Sequence, residues 1–201
     1  MKKSLLLLLL AVAIAAPMQA RGKKSASTEP GKYKEWGPDI DEIEIVKSFK
    51  LADYKDIEVE PFDTEGVKLP DKDDNSYDSA RRALTDSTED FAAGLNGLLD
   101  QKVYLAGAKP SKTGGTLLIR AKVTVMDPGS RAARYWAGFG AGAARSEISG
   151  EIVDAKTGEV LIRFTQQRRS GVGVYGGDYQ ELMQRNLNTI GEDVAHMLRE
   201  F

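Results

Sequence analysis

The stretch TLLIRAKVTVM, Thr116 to Met126, is closed at once by Asp127-Pro128-Gly129, and its reading decides the fold. Leu117, Ile119, Ala121, Val123 and Val125 recur at every second position, with Arg120, Lys122 and Thr124 between them. Successive side chains of an extended chain point to opposite faces, so this is a strand with one face buried and the other wet. Asp-Pro-Gly ends it, because proline offers no N–H to a ladder and glycine enters turn conformations closed to other residues.

Working outward, Glu147–Val153 and Val160–Gln166 read as a hairpin across Asp154–Glu159, with Gly158 supplying the left-handed position of the loop. A glycine-rich loop, 171–177, leads to Asp178 as N-cap of a last helix that buries Tyr179, Leu182, Met183, Leu187, Ile190, Val194, Met197 and Leu198. On the other side, Val103–Ala106 is a short strand followed by a loop over Lys109–Gly115. One long helix is predicted from Ser76, capped by Asn75, with Ala80, Ala83, Leu84, Phe91, Leu95, Leu98 and Leu99 on its apolar face. Before the polar loop 63–75, strands are expected around Ile43–Ile45 and over Asp56–Phe62, where Pro61 marks a strand end. The order points to an α+β fold: a single mixed or antiparallel sheet with two main helices packed on one face, the other face being free for solvent or a partner.

The N-terminus has Lys2 and Lys3, twelve apolar residues from Leu5 to Ala16, and then Pro17 to Ala20. This is the layout of a secretory signal, and twelve residues fall short of the ~20 a membrane span requires. Residues 1–20 are therefore read as a cleaved signal peptide, 21–38 as a flexible leader poor in aliphatic residues, and 39–201 as a single α+β domain. In the leader, Tyr33 and Trp36 are read first as docking onto the domain and second as a small contact site for another protein. The chain has no cysteine, which removes a lipid-acceptor thiol, disulfides and thiolate chemistry. It is thus expected to be exported to the periplasm, held at the outer membrane by partners if at all, and not as a lipoprotein. Without residues 1–20 the 28 basic groups fall by two against 30 acidic ones, a net charge of −4 that argues against nucleic acid.

Catalytic signals are poor. His196 is the sole histidine and sits late in the last helix, where charge at the helix end or marginal packing explains it. There is no Gly-x-Ser-x-Gly elbow. Asp71, Asp73 and Asn75 match the first ligands of a calcium loop, but Ser76 stands where glycine is needed and Arg82 where a bidentate glutamate belongs. In Lys112-Thr113-Gly114-Gly115 the lysine precedes the glycines, and Gly138-x-Gly140-x-Gly142 precedes no Lys-Ser or Lys-Thr pair, so neither is a phosphate loop. No catalytic residue, metal or cofactor is assigned.

The run Ala132–Ala144 is the least explained by folding: it holds Tyr135, Trp136 and Phe139, a Gly138-x-x-x-Gly142 spacing, and Arg134 as its only charge. Glycines permit close backbone approach, so an intramolecular connection comes first, self-association second and membrane contact third. Arg131, Arg134, Tyr135, Trp136 and Phe139 are the candidate interface, since interface anchors are enriched in aromatics and arginine.

The string from Val125 to Gly142, followed by Gly150-Glu-Ile-Val-Asp-Ala-Lys-Thr-Gly-Glu-Val-Leu161, resembles the bacterial exported family called domain of unknown function 4410, and similarity extends from Ile57 to the last helix. The resemblance implies no activity; members are often lipoproteins, and this chain departs from them in lacking the acceptor cysteine. More remotely, it resembles small α/β domains of envelope assembly lipoproteins. The leading expectation is a non-enzymatic envelope domain acting through another envelope protein or itself. A carrier of a small apolar ligand or lipid, on the open sheet face between the two glycine-rich loops, is the alternative. A glycan-acting enzyme using two among Asp71, Asp73, Asp74 and Glu89 is the third, although their loop and helix start predict exposure.

Overall fold

The computed structural model describes residues 26–37, 39–106, 115–129, 142–170 and 178–201. Residues 1–25, 38, 107–114, 130–141 and 171–177 lie outside the described residues. Among the described residues, seven strands form one sheet: β1 (Gly31–Trp36), β2 (Ile40–Ile45), β3 (Tyr54–Val59), β4 (Lys102–Leu105), β5 (Gly115–Asp127), β6 (Ala144–Asp154) and β7 (Val160–Ser170). Their order is β1-β2-β7-β6-β5-β3-β4. β3 runs parallel to both its neighbours, while the other pairings are antiparallel, so the sheet is mixed. Helices α1 (Tyr77–Thr85), α2 (Ser87–Asn96) and α3 (Tyr179–Leu198) cover one face. The expected α+β class, with one sheet and its main helices on one side, is what the chain adopts.

The core lies between the sheet and the helices. Ile57, Leu117, Ile119, Ile148, Ile152 and Ile162 from the strands meet Phe91, Leu95, Met183 and Leu187 from the helices, all inaccessible to solvent. Each such side chain contributes roughly 1.5–3 kcal/mol through removal of apolar surface from water. All eight apolar residues assigned to the last helix are buried, and Asp178 caps it by accepting from the Gln180 amide at 2.9 Å. Gly158 takes φ +72° in the β6–β7 loop, as the hairpin requires.

Four expectations need correction. Residues 31–36 of the supposed flexible leader are strand β1, and the docking of Trp36 supplies the reason. Its indole is 4% exposed, donates to the Ser27 carbonyl at 2.8 Å and stacks on Phe201, which stacks in turn on Phe49. The predicted long helix is divided at Asp86 into α1 and α2. Thr85-Asp86-Ser87-Thr88 is a run of weak helix formers, and the Thr88 hydroxyl accepts from the Phe62 amide at 3.0 Å, tying the break to the chain after β3. Asn75 is not the cap; Ser76 stands there, held by the Asp74 carboxylate through its amide and hydroxyl. Finally, the pairing of β5 with β6 slips between Val123 and Val125, so Met126 rather than Val125 enters the core. A bulge adds one residue to one strand and so inverts the alternation beyond it.

Candidate functional site

The face of the sheet away from the helices carries the polar phase of five strands. Strand pairing aligns them into two rows. In the first, Lys32 of β1 lies opposite Glu44 of β2, Glu44 opposite Arg163 of β7, Arg163 opposite Glu151 of β6, and Glu151 opposite Arg120 of β5. Glu60, just past β3, completes it by accepting from Arg120 Nε at 3.2 Å. In the second, Lys34, Glu42, Thr165, Ser149 and Lys122 follow in the same strand order, and Asp63 completes it through a bridge to Lys122. Ion pairs run along both rows: Lys32–Glu44 at 3.4 Å, Arg163–Glu44 at 3.5 Å, Arg163–Glu151 at 2.9 Å, Lys34–Glu42 at 2.9 Å and Lys122–Asp63 at 3.0 Å. The Ser149 and Thr165 hydroxyls are 3.1 Å apart. The Glu65 amide, and then the Lys122 ammonium, hold the Asp63 carboxyl below the usual carboxylate range.

Between the rows the sheet forms an open depression of about 670 Å³, floored by the strand backbones. Its walls are charged. The two glycine-rich segments expected to frame an apolar groove on this face for a lipid or apolar ligand fall largely in 130–141 and 171–177, outside the described residues. Sequence reasoning did not single out this lattice. Its signal was the pairs of polar residues two apart in each strand, such as Lys32 and Lys34 or Arg120 and Lys122, but only the strand order turns them into rows.

The sequence-predicted interface residues, Arg131, Arg134, Tyr135, Trp136 and Phe139, lie outside the described residues. The base from which they arise is described. β5 and β6 pair as far as Asp127 and Arg145, and beyond them Gly129 (φ +76°) and Gly142 (φ +75°) come together. A Cβ at Gly129 would fall 2.1 Å from the Gly142 carbonyl oxygen, so only glycine fits this neck. The Asp127 carboxylate accepts from the Gly129 amide at 2.8 Å and fixes the turn. Arg169 of β7 lies opposite Arg145 at the same end of the sheet.

On the helix side, Asp193 of α3 is buried between Gln166 and Arg168 of β7. Arg168 donates to both its oxygens, and the Gln166 amide donates to it at 2.8 Å. Burial nevertheless pushes the Asp193 carboxyl above its usual range, against the pull of Arg168. Arg168 also reaches Asp39 at 3.4 Å, and His196 Nδ1 lies 3.5 Å from the same carboxylate. These contacts fasten α3 to β7 and to the turn between β1 and β2, which accounts for His196 at the helix margin. Asp71, Asp73, Asp74 and Glu89 are all exposed. Among the described residues, no group of three or more potential ligands converges on a metal position, and no helix is long and apolar enough to cross a membrane.

No curated protein matches the chain. Among solved structures, a PelC dodecamer from Paraburkholderia phytofirmans is 13% identical with a TM-score of 0.47, over 76% of this chain and 96% of that one. Protein XCC0632 from Xanthomonas campestris, of the family model DUF330, is 8% identical with a TM-score of 0.43, over 72% and 84%. Hypothetical protein CT253 from Chlamydia trachomatis is 10% identical with a TM-score of 0.41, over 72% and 98%. A family model described as a domain of unknown function, DUF4410, matches residues 57–173, from β3 through the paired ends of β5, β6 and β7. That span is more than half of the chain, and the chain belongs to this family.

Proposed function

We propose that this protein is a non-enzymatic, exported domain of the cell envelope that acts by contact with another envelope protein or with a second copy of itself. The observation that carries the proposal is the glycine neck. Gly129 and Gly142 close the end of the β5–β6 ladder, and the sequence between them is rich in Gly, Ala and aromatic residues. On the helix side β5 and β6 bury Met126, Ala144 and Ile148 next to this neck. The sequence between the two glycines holds Tyr135, Trp136 and Phe139 together with Arg131 and Arg134. Aromatic and arginine side chains of this kind anchor protein interfaces. The signal-like N-terminus supports export, and the absence of cysteine from the sequence supports a protein held by partners rather than by a lipid.

Crosslinking in cells with a photoreactive residue at position 136 tests this directly. Capture of a discrete envelope protein, or of the same chain, is expected, and Trp136→Ala and Phe139→Ala should weaken it. Unchanged partners and unchanged oligomeric state in folded variants would count decisively against the proposal.

A further inference from the structure

We infer that the open sheet face is a two-fold self-association surface, on which a second copy of this chain docks with its strands parallel to the first. The inference deepens the proposal that the protein works by contact, naming a partner and a surface distinct from the glycine neck. Its basis is the sign pattern of the two rows. Across the sheet the first row reads plus, minus, plus, minus, plus, minus, from Lys32 to Glu60. A six-membered alternating row is the opposite of itself when reversed. If a second copy is turned by 180° about an axis parallel to the strands and midway between β6 and β7, Lys32 meets Glu60, Glu44 meets Arg120, and Arg163 meets Glu151.

The second row obeys the same rule about the same axis. Lys34 meets Asp63, Glu42 meets Lys122, and the Thr165 hydroxyl meets that of Ser149. An isologous interface requires this kind of self-complementarity, in which residue i faces residue j and j faces i. The other in-plane two-fold, perpendicular to the strands, lays one row on the other. It sets Lys32 against Lys34, Glu44 against Glu42 and Arg120 against Lys122, and like-charge contacts reject it. The charge pattern therefore selects one orientation out of two. Because these charges are exposed and already paired within each copy, the association is weak, wet and sensitive to salt.

Sedimentation equilibrium on the protein recovered from cells expressing the full chain tests the pairing. A concentration-dependent dimer is expected at about 50 mM salt, weakened about tenfold or more at about 500 mM, where screening is short-ranged. Arg163→Glu and Glu151→Arg should each abolish self-association alone, because each sets like charges face to face across the axis. Mixed in equal amounts they should form a heterodimer, since Glu at 163 of one copy then faces Arg at 151 of the other. That recovery also shows both variants to be folded. A wild type that stays monomeric at low salt, single reversals that self-associate like wild type, or a mixture no heavier than its components would each overturn the inference. Trp136→Ala should leave this dimer intact; its loss there would move the contact to the glycine neck and overturn the sheet-face assignment, while the contact proposal itself would stand.

Discussion

Asp90 shows how one side chain can work against the fold that holds it. It lies in the first turn of α2, half-buried, with Oδ2 buried and without a hydrogen-bond partner. Burial, then the neighbouring charges of Asp86 and Glu89, push its carboxyl up to about 6 from 3.8. Below pH 3.8 the folded and unfolded chains are both protonated there, and the group costs nothing. Between that value and about 6 the unfolded chain ionises while the folded chain keeps its proton, so stability falls as pH rises and is constantly lower above 6. Asp90→Asn is expected to stabilise the protein at pH 7 by about 1 kcal/mol, the full linkage being reduced by solvent screening of a half-exposed group. Urea denaturation at pH 7 and pH 3.5 checks the sign, because the gain should vanish at the lower pH. Neither the burial of Asp90 nor the pairing of Asp193 with Arg168 is legible in sequence, where both acids sit among other polar residues of amphipathic helices.

The crossing of α2 over α3 is decided by two glycines. A Cβ on Gly94 would lie 2.0 Å from the Asn188 carbonyl oxygen, and one on Gly191 would lie 2.1 Å from that of Phe91. The obstruction is backbone, so no side-chain rotation can relieve it; the helices would have to move apart and loosen Phe91, Leu95 and Leu187. Gly94→Ala and Gly191→Ala should each lower stability by about 2–3 kcal/mol, even though alanine is the better helix former. The double variant should cost less than the sum, because one separation relieves both clashes. Thermal denaturation followed by circular dichroism reads both effects. The apolar stripe of α3 was legible at every position, since a helix twenty residues long repeats its period often enough to be unmistakable. The break at Asp86 and the bulge after Val123 were not. Each depends on a partner far along the chain, Phe62 for the break and β6 for the bulge.

At the scale of the whole molecule, the first described strand is fastened by a ring stack. Trp36, Phe201 and Phe49 lie in a row with centroids 5.9 and 4.8 Å apart, joining β1, the residues after α3, and the turn before β3. Trp36→Ala should cost about 3 kcal/mol or more, and should raise hydrogen exchange in β1 before the rest of the sheet. Uniform exchange across all seven strands would contradict that order. The sequence by itself determined the phase of β5 as far as Val123, the hairpin, the final helix, the α+β class and the family, because period, turn residues and caps act over a few neighbouring positions. Only the tertiary structure decided that β7 and β6 lie between β2 and β5, and with that order which charges face one another across the sheet. Strand order is fixed by contacts between residues a hundred or more positions apart, such as Glu44 and Arg163, and local pattern carries no record of them. The polar phase of a strand such as β5, with Arg120 and Lys122, could be read by itself; the membership of β1 and the assembly of the phases into two self-complementary rows could not.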